Sequence, residues 1–133
     1  LDDVNSIAVL LDQLGYPCSK DFLKEKLHKM INHSDEVLVV SEENNLVIAV
    51  ISIHFIPQLA LAGDFARISY FSVVDSVRSQ GIGRRMEEYC TQIARERNCD
   101  RIEVHCNERR SEAHRFYFRQ GYEEAPKYLV KYL

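Results

Sequence analysis

No apolar run in this chain approaches the roughly 20 residues that a membrane-spanning helix needs. The longest, around Leu46 to Ile56, is interrupted by Ser52 and His54 and reads as a buried strand. No charged-then-apolar leader precedes a small-residue cleavage site, so nothing points to secretion and a cytoplasmic location is expected. Cysteine is scarce and scattered. Cys18, Cys90, Cys99 and Cys106 form no C-x-x-C pair, which argues against a zinc site or a disulfide framework and for buried free thiols. Excess positive charge is also missing: a net charge of -3 argues against general nucleic-acid binding. With no internal repeat and no linker, 133 residues fit a single domain spanning 1–133, with one core.

What is present is ordinary in bulk and uneven in distribution. Hydrophobic residues make up 46% and charged residues 28%, the composition of a soluble globular protein. Acids crowd the first half, among them Asp2, Asp3, Asp12, Asp35, Glu36, Glu42 and Glu43. Arginines crowd the second, from Arg78, Arg84 and Arg85 to Arg115 and Arg119. Solvated helix faces account for most of them.

Periodicity predicts the order ααβββαβαβ. Asp3 is expected to cap a helix over 3–14 with Ile7, Leu10, Leu11 and Leu14 inward, and Gly15 and Pro17 end it. Ser19 caps a second helix over 20–32, with Phe22, Leu23, Leu27, Met30 and Ile31 on its apolar stripe. Strands follow at 36–40 and 46–56 about a turn at 41–45, then at 65–74. A long helix over 81–98 turns Ile82, Met86, Tyr89, Cys90 and Ile93 inward. A strand at 101–106, a short helix at 111–120 closed by Gly121, and a last strand at 127–133 complete the chain. The step from 65–74 to 101–106 through one helix is a parallel, right-handed crossover.

The stretch VRSQGIGRRMEEYC, Val77 to Cys90, sets a glycine corner at the mouth of the long helix. Glycine tolerates positive φ and close backbone approach, and a helix mouth offers unpaired N–H groups and a partial positive charge. Together they make an anion cradle, most often for phosphate. A dinucleotide fingerprint would need a third glycine where Met86 stands, and a P-loop would need G-K-[ST] where Gly83-Arg84-Arg85 stands. An ordinary βα turn that uses glycine for geometry alone is the bland alternative.

The corner resembles the R/Q-x-x-G-x-G/A motif of the GNAT superfamily of N-acetyltransferases, with Arg78, Gly81 and Gly83 at its fixed positions. NERRSEAHRFYFRQGYEE, 107–124, resembles that family's second signature, its positions filled by Ala113, Phe116, Tyr117, Gly121 and Tyr122. Asn107 lies three residues before the signature's asparagine, where Arg110 stands. The resemblance implies an α/β (α+β) GNAT fold: a mixed, mostly antiparallel sheet splayed between two parallel strands, with helices on both faces. The chain opens at Leu1 almost directly into a helix, so the family's opening strand is expected to be missing.

The resemblance also implies acetyl-CoA as cosubstrate and direct acetyl transfer to a primary amine of a small molecule. On it, Arg78, Ser79, Gln80, Gly81, Ile82, Gly83 and Arg84 hold the diphosphate, and the Val73 N–H serves the pantetheine or the reacting oxygen. Tyr117 is the expected general acid, with its neighbour Phe116 in the core. Asn107 either bonds the pantetheine or ends its strand. Many relatives carry a glutamate where this chain has Ser69, which alone accepts no proton usefully. His54 is the candidate base, acting directly or through water, with Glu103 and His105 behind it and unaided water as the alternative. His28, His33 and His114 read as surface histidines.

AHRFYFRQGYE and the strand of His54 are loosely similar to acyltransferases of aminoalkylphosphonates. Specificity is expected in the turn Gly15 to Lys20 and in the loop 57–64. The alternatives are a catalytically silent CoA-binding sensor or partner-binding module, or a peptide or protein N-acetyltransferase. No metal, nucleic acid or membrane partner is expected, and homodimerisation stays open.

Overall fold

Two asparagines make the first hairpin. Asn44 and Asn45 both take positive φ, 52° and 66°, the backbone twist that joins antiparallel strands most tightly. The turn is therefore only these two residues, and the first strand runs on to Glu43 rather than stopping at 40. The computed structural model describes residues 3–17, 20–74, 80–105, 111–124 and 129–133. Within them lie α1 (Val4–Gln13), α2 (Lys20–Ile31), β1 (Glu36–Glu43), β2 (Leu46–Ile56) and β3 (Phe65–Val73). Then follow α3 (Ile82–Glu96), β4 (Arg101–Val104) and α4 (Ser111–Arg119).

The sheet runs β1-β2-β3-β4, antiparallel twice and then parallel. Its two faces bury separate clusters. Ala49, Ile51, Ile53 and Phe55 of β2 pack with Ala66 and Ile68 of β3 against Ile82, Met86, Cys90 and Ala94 of α3. On the other face Val47 and Val50 meet Ile7 and Leu10 of α1 and Leu23 and Leu27 of α2. The helices on both faces and the parallel β3–β4 pair give the mixed sheet that the resemblance implied.

Several expectations are corrected. Asp3 sits at the cap of α1, but its side chain makes no capping bond. Phe22 and Ile31 are exposed, because α2 packs only on α1 and β1 and its buried stripe narrows to Leu23 and Leu27. Tyr89 is exposed, while Glu87 turns inward beside Met86 and Cys90. Residues 129–133 form no strand, and Leu129, Val130, Tyr132 and Leu133 are exposed. Alternation supplies the pattern of a strand, but a strand is stabilised by a packed, paired neighbour, and this segment has none among the described residues. No helix among the described residues is long and apolar enough to cross a membrane.

Candidate active site

The glycine corner forms as the sequence implies, for two different reasons. Gly81 is the N-cap of α3 with φ 78°, a left-handed conformation that a side chain disfavours. A Cβ there would meet nothing within 4 Å, so the backbone angle alone explains the glycine. Gly83 is different: a Cβ would come 3.3 Å from the ring of Phe116 on α4 and 3.9 Å from that of Phe71 on β3. Close packing between α3, α4 and β3 explains it. The N–H groups of Ile82, Gly83 and Arg84 have no partner within the helix, whose first bond runs from the Arg85 N–H to the Gly81 carbonyl at 3.1 Å. Ile82 buries its side chain and contributes only its backbone. Gln80 is exposed, and Arg84 reaches Glu88 at 3.8 Å in solvent. Arg78, Ser79 and Asn107 lie outside the described residues.

Beside this corner the sheet divides. β3 and β4 pair only from Phe65↔Arg101 to Ile68↔Val104, while β3 continues to Val73. The bond from the Val74 N–H to the Ile48 carbonyl, 2.8 Å, fixes the alternation beyond the division. Ser72 and Val74 direct their main-chain groups to β2, and Phe71 and Val73 direct theirs to the edge that β4 has left. Gln13 at the end of α1 donates to the Val73 carbonyl at 2.8 Å, and the Ser72 hydroxyl donates to the Leu10 carbonyl at 3.1 Å. α1 is thereby anchored at the opening.

α4 closes the other side. Phe116 stands edge-on to Phe71 at 5.7 Å, and Tyr117 lies 6.5 Å from Phe71 and 5.3 Å from Tyr122. Both Phe116 and Tyr117 are half-buried, so Tyr117 is within the aromatic cluster at the opening rather than deep in the core. Sequence reasoning missed what holds it there. The Tyr122 hydroxyl donates to Glu87 Oε1 at 3.1 Å, and Thr91 donates to the same oxygen at 2.8 Å. Glu87 is 5% exposed. Its signal was positional: it shares the inward stripe of Cys90 and Ala94 at helical spacing. Burial, and then Glu87, push the Tyr122 phenol well above its usual range. The same two causes, in the same order, push the Cys90 thiol up to about 12.

On the α1/α2 face of the sheet the candidate bases separate. Glu103 is engaged by Arg67 at 3.0 Å and by Arg101 at 3.4 Å, and His105 is exposed. His28 is exposed, as is His33, whose Nδ1 accepts from the Asp35 N–H at 3.1 Å. His114 is half-buried, its ring 6.4 Å from that of Phe118 on its own helix, so it is not the surface histidine expected. His54 alone joins a chain of groups: its Nδ1 bonds the Glu36 carboxylate, and its Nε2 lies 2.5 Å from the Ser69 hydroxyl. Lys29, Met30 and His33 line a cavity of about 220 Å³ beside Glu36 and His54. Tyr16 and Tyr70, both exposed, stack edge-to-face at 5.3 Å on the same side.

A helix mouth with unpaired N–H groups, a sheet divided at its parallel pair and an aromatic helix over the division define a thioester-dependent acyltransferase of the GNAT class. The described residues fit coenzyme A accordingly, with an anion cradle at Gly81–Arg84 and a strand edge at Val73 for an amide-bearing arm. The comparisons agree. The acetyltransferase (GNAT) family model matches residues 6–122. The chain is 32% identical over 130 residues to the aminoalkylphosphonate N-acetyltransferase of Salmonella typhimurium (strain LT2), covering 93% of this chain and 81% of that protein. A GNAT family acetyltransferase of Staphylococcus aureus subsp. aureus superposes with TM-score 0.84 at 24% identity, over 99% of this chain and 90% of that one. A transcriptional regulator from Bacillus halodurans C-125 superposes with TM-score 0.90 at 19% identity, over 99% and 94%. An aminoglycoside acetyltransferase from an uncultured soil metagenomic sample gives 0.83 at 19%, over 99% and 91%. The chain belongs to the GNAT acetyltransferase family and is an N-acetyltransferase.

Proposed function

We propose that this chain, as one domain over 1–133 in the cytoplasm, transfers acetyl from acetyl-CoA to the primary amine of a small molecule by direct attack. The observation that carries the reading is the divided sheet, whose open β3 edge lies between the N-terminus of α3 and the aromatic cluster of Tyr117. When bound, acetyl-CoA supplies an activated acetyl group as a thioester. The backbone from Gly81 to Arg84, with Arg78, Ser79 and Gln80, binds the diphosphate, and Asn107 bonds the pantetheine. The Val73 N–H donates to the oxygen that gains charge during transfer. Tyr117 gives a proton to the departing sulfur, and His54 takes one from the amine.

A small amine that also carries an acidic group suits the chain best. The Salmonella relative is named for aminoalkylphosphonates, and arginines dominate the second half of this sequence. The silent CoA-binding alternative leaned on the lack of an acid at Ser69, and the contact of Ser69 with His54 weakens that argument.

Tyr117→Phe tests the reading, because it removes only an oxygen. With a saturating amine, CoA release should fall by about 10²–10⁴ in rate, the usual contribution of a positioned acid. Acetyl-CoA affinity should hold, and stability should change by about 1 kcal/mol, one hydrogen bond. A donor with a more acidic thiol should shrink the loss. Equal turnover for Tyr117→Phe and the parent would remove Tyr117 from the mechanism.

A further inference from the structure

We infer that Glu36, His54 and Ser69 form a proton relay across three strands, in which the Ser69 hydroxyl meets the attacking amine. The inference rests on the acetyl-transfer reading above and adds two residues to it. The β1–β2 register sets Glu36 directly opposite His54, so both side chains leave the same face of the sheet. β2 and β3 then slip by one residue: Ile53 pairs with Ile68 but Ser52 pairs with Tyr70, which leaves Ser69 as the extra residue of a β-bulge. On either side of it, Ala66 and Ile68, then Phe71 and Val73, belong to the α3 cluster. The bulge therefore turns Ser69 and Tyr70 together onto the α1/α2 face, where His54 Nε2 lies 2.5 Å from Ser69 Oγ. Arg67, the residue directly opposite His54, is drawn away to Glu103 at 3.0 Å and leaves the ring to Ser69.

Ser69 also has the right position in the fold. Ile68↔Val104 is the final β3–β4 pair, so Ser69 is the first residue of β3 beyond the point where the sheet divides. It is exposed, as a group that meets a diffusing substrate must be. At the other end the side chains of His54 and Glu36 are 26% and 25% accessible, which gives the relay an outlet to solvent.

The chemistry follows from the donors and acceptors. An ionised Glu36 only accepts, so the Nδ1 bonded to it carries the hydrogen and Nε2 is the acceptor. The Ser69 hydroxyl thus donates to Nε2 and keeps its lone pairs for an N–H of the amine. As the N–C bond forms and the C–S bond breaks, Ser69 Oγ takes the amine proton and passes its own to His54 Nε2. Tyr117 protonates the sulfur, Glu36 holds the ring and offsets its charge, and His54 returns its proton to water. Glu36 is a positioning residue, while Ser69 and His54 carry the proton.

The test uses the full chain with acetyl-CoA and a panel of primary amines led by 2-aminoethylphosphonate, read as CoA release. Ser69→Ala should lower kcat about 100-fold. Ser69→Thr, which keeps the hydroxyl, should stay within about tenfold of the parent. Glu36→Gln should lower kcat about tenfold or more with KM for acetyl-CoA unchanged, a split that mere loss of packing does not produce. Acetyl-CoA affinity measured on each variant certifies that it is folded, and at an exposed position Ser69→Ala is not expected to fail that check. Parent-like kcat in Ser69→Ala overturns the relay and leaves the transferase reading standing. Acetylated Ser69, found by mass spectrometry after incubation with acetyl-CoA alone, overturns it in favour of a covalent route. A parent that releases no CoA with any amine refutes the transferase reading and the relay with it.

Discussion

Tyr122→Phe removes one oxygen from a site that holds α3 and the segment after α4 together, and its cost can be worked from the geometry. The lost hydroxyl donates at 3.1 Å to Glu87, a carboxylate only 5% exposed, which keeps Thr91 at 2.8 Å. A hydrogen bond to a charged, buried partner contributes about 1.5–3 kcal/mol. The phenylalanine ring fills the same space and keeps the 5.3 Å contact with Tyr117, so no cavity adds to the loss. For a domain of this size each kcal/mol is worth about 3–5 °C, so Tm at pH 7 should fall by roughly 5–15 °C. In a Glu87→Gln background the same change should cost only about 0.5–1.5 kcal/mol, because the acceptor is then neutral. Proton linkage gives a second readout. The folded phenol titrates above its ordinary 10.0, so below pH 10 its stabilisation is fully present, and above pH 10 the unfolded chain loses the proton first. Parent stability should therefore decline above pH 10, and the decline should be shallower in Tyr122→Phe. Calorimetric melts within about 1 °C of each other at pH 7 would refute the reasoning, since a bond to a buried charge has no cheaper substitute.

Two further outcomes can be measured with the same protein. Gly81→Ala should destabilise by about 1–2 kcal/mol through the left-handed angle alone, whereas Gly83→Val should displace Phe116 and lower both Tm and acetyl-CoA affinity. Unchanged affinity in folded Gly83→Val would separate the glycine from the anion cradle. The Cys90 thiol, pushed up to about 12 mainly by burial, keeps its proton in the fold while the unfolded chain loses it from pH 9.0. Urea midpoints should therefore fall between pH 9 and 12, less so in Cys90→Ala despite its lower stability at pH 7.

The architecture was legible wherever its cause was local. Leu10 and Leu23 with Leu27 announce their helices by spacing, and the unbroken β2 announces a strand buried on both faces. The glycine corner was legible for the same reason, since Gly81 and Gly83 act on the residues beside them. Burial breadth was not legible. Phe22, Ile31 and Tyr89 lie beside true stripes, and whether a flanking residue is covered depends on how much of a neighbour crosses it. The pattern of 129–133 failed similarly, because alternation describes a strand but does not supply the edge to pair with.

The site divides along the same line. Tyr117 came from a contiguous signature, but Glu87 and Glu36 matter through partners 35 and 18 residues away, and no local pattern marks either. Ser69 was judged by its own proton affinity, which is the wrong property for a hydroxyl already bonded to an imidazole. Its position also depends on a single extra residue in β3. With strict period-two pairing, a residue following Arg67 by two would continue the α1/α2 face, and Tyr70 would turn toward α3. The bulge instead keeps both Ser69 and Tyr70 on the α1/α2 face and returns Phe71 and Val73 to the α3 cluster. One inserted residue thus sets the hydroxyl beside His54 while preserving the backbone edge at Val73, so the candidate proton path and the candidate acyl site depend on the same irregularity of one strand.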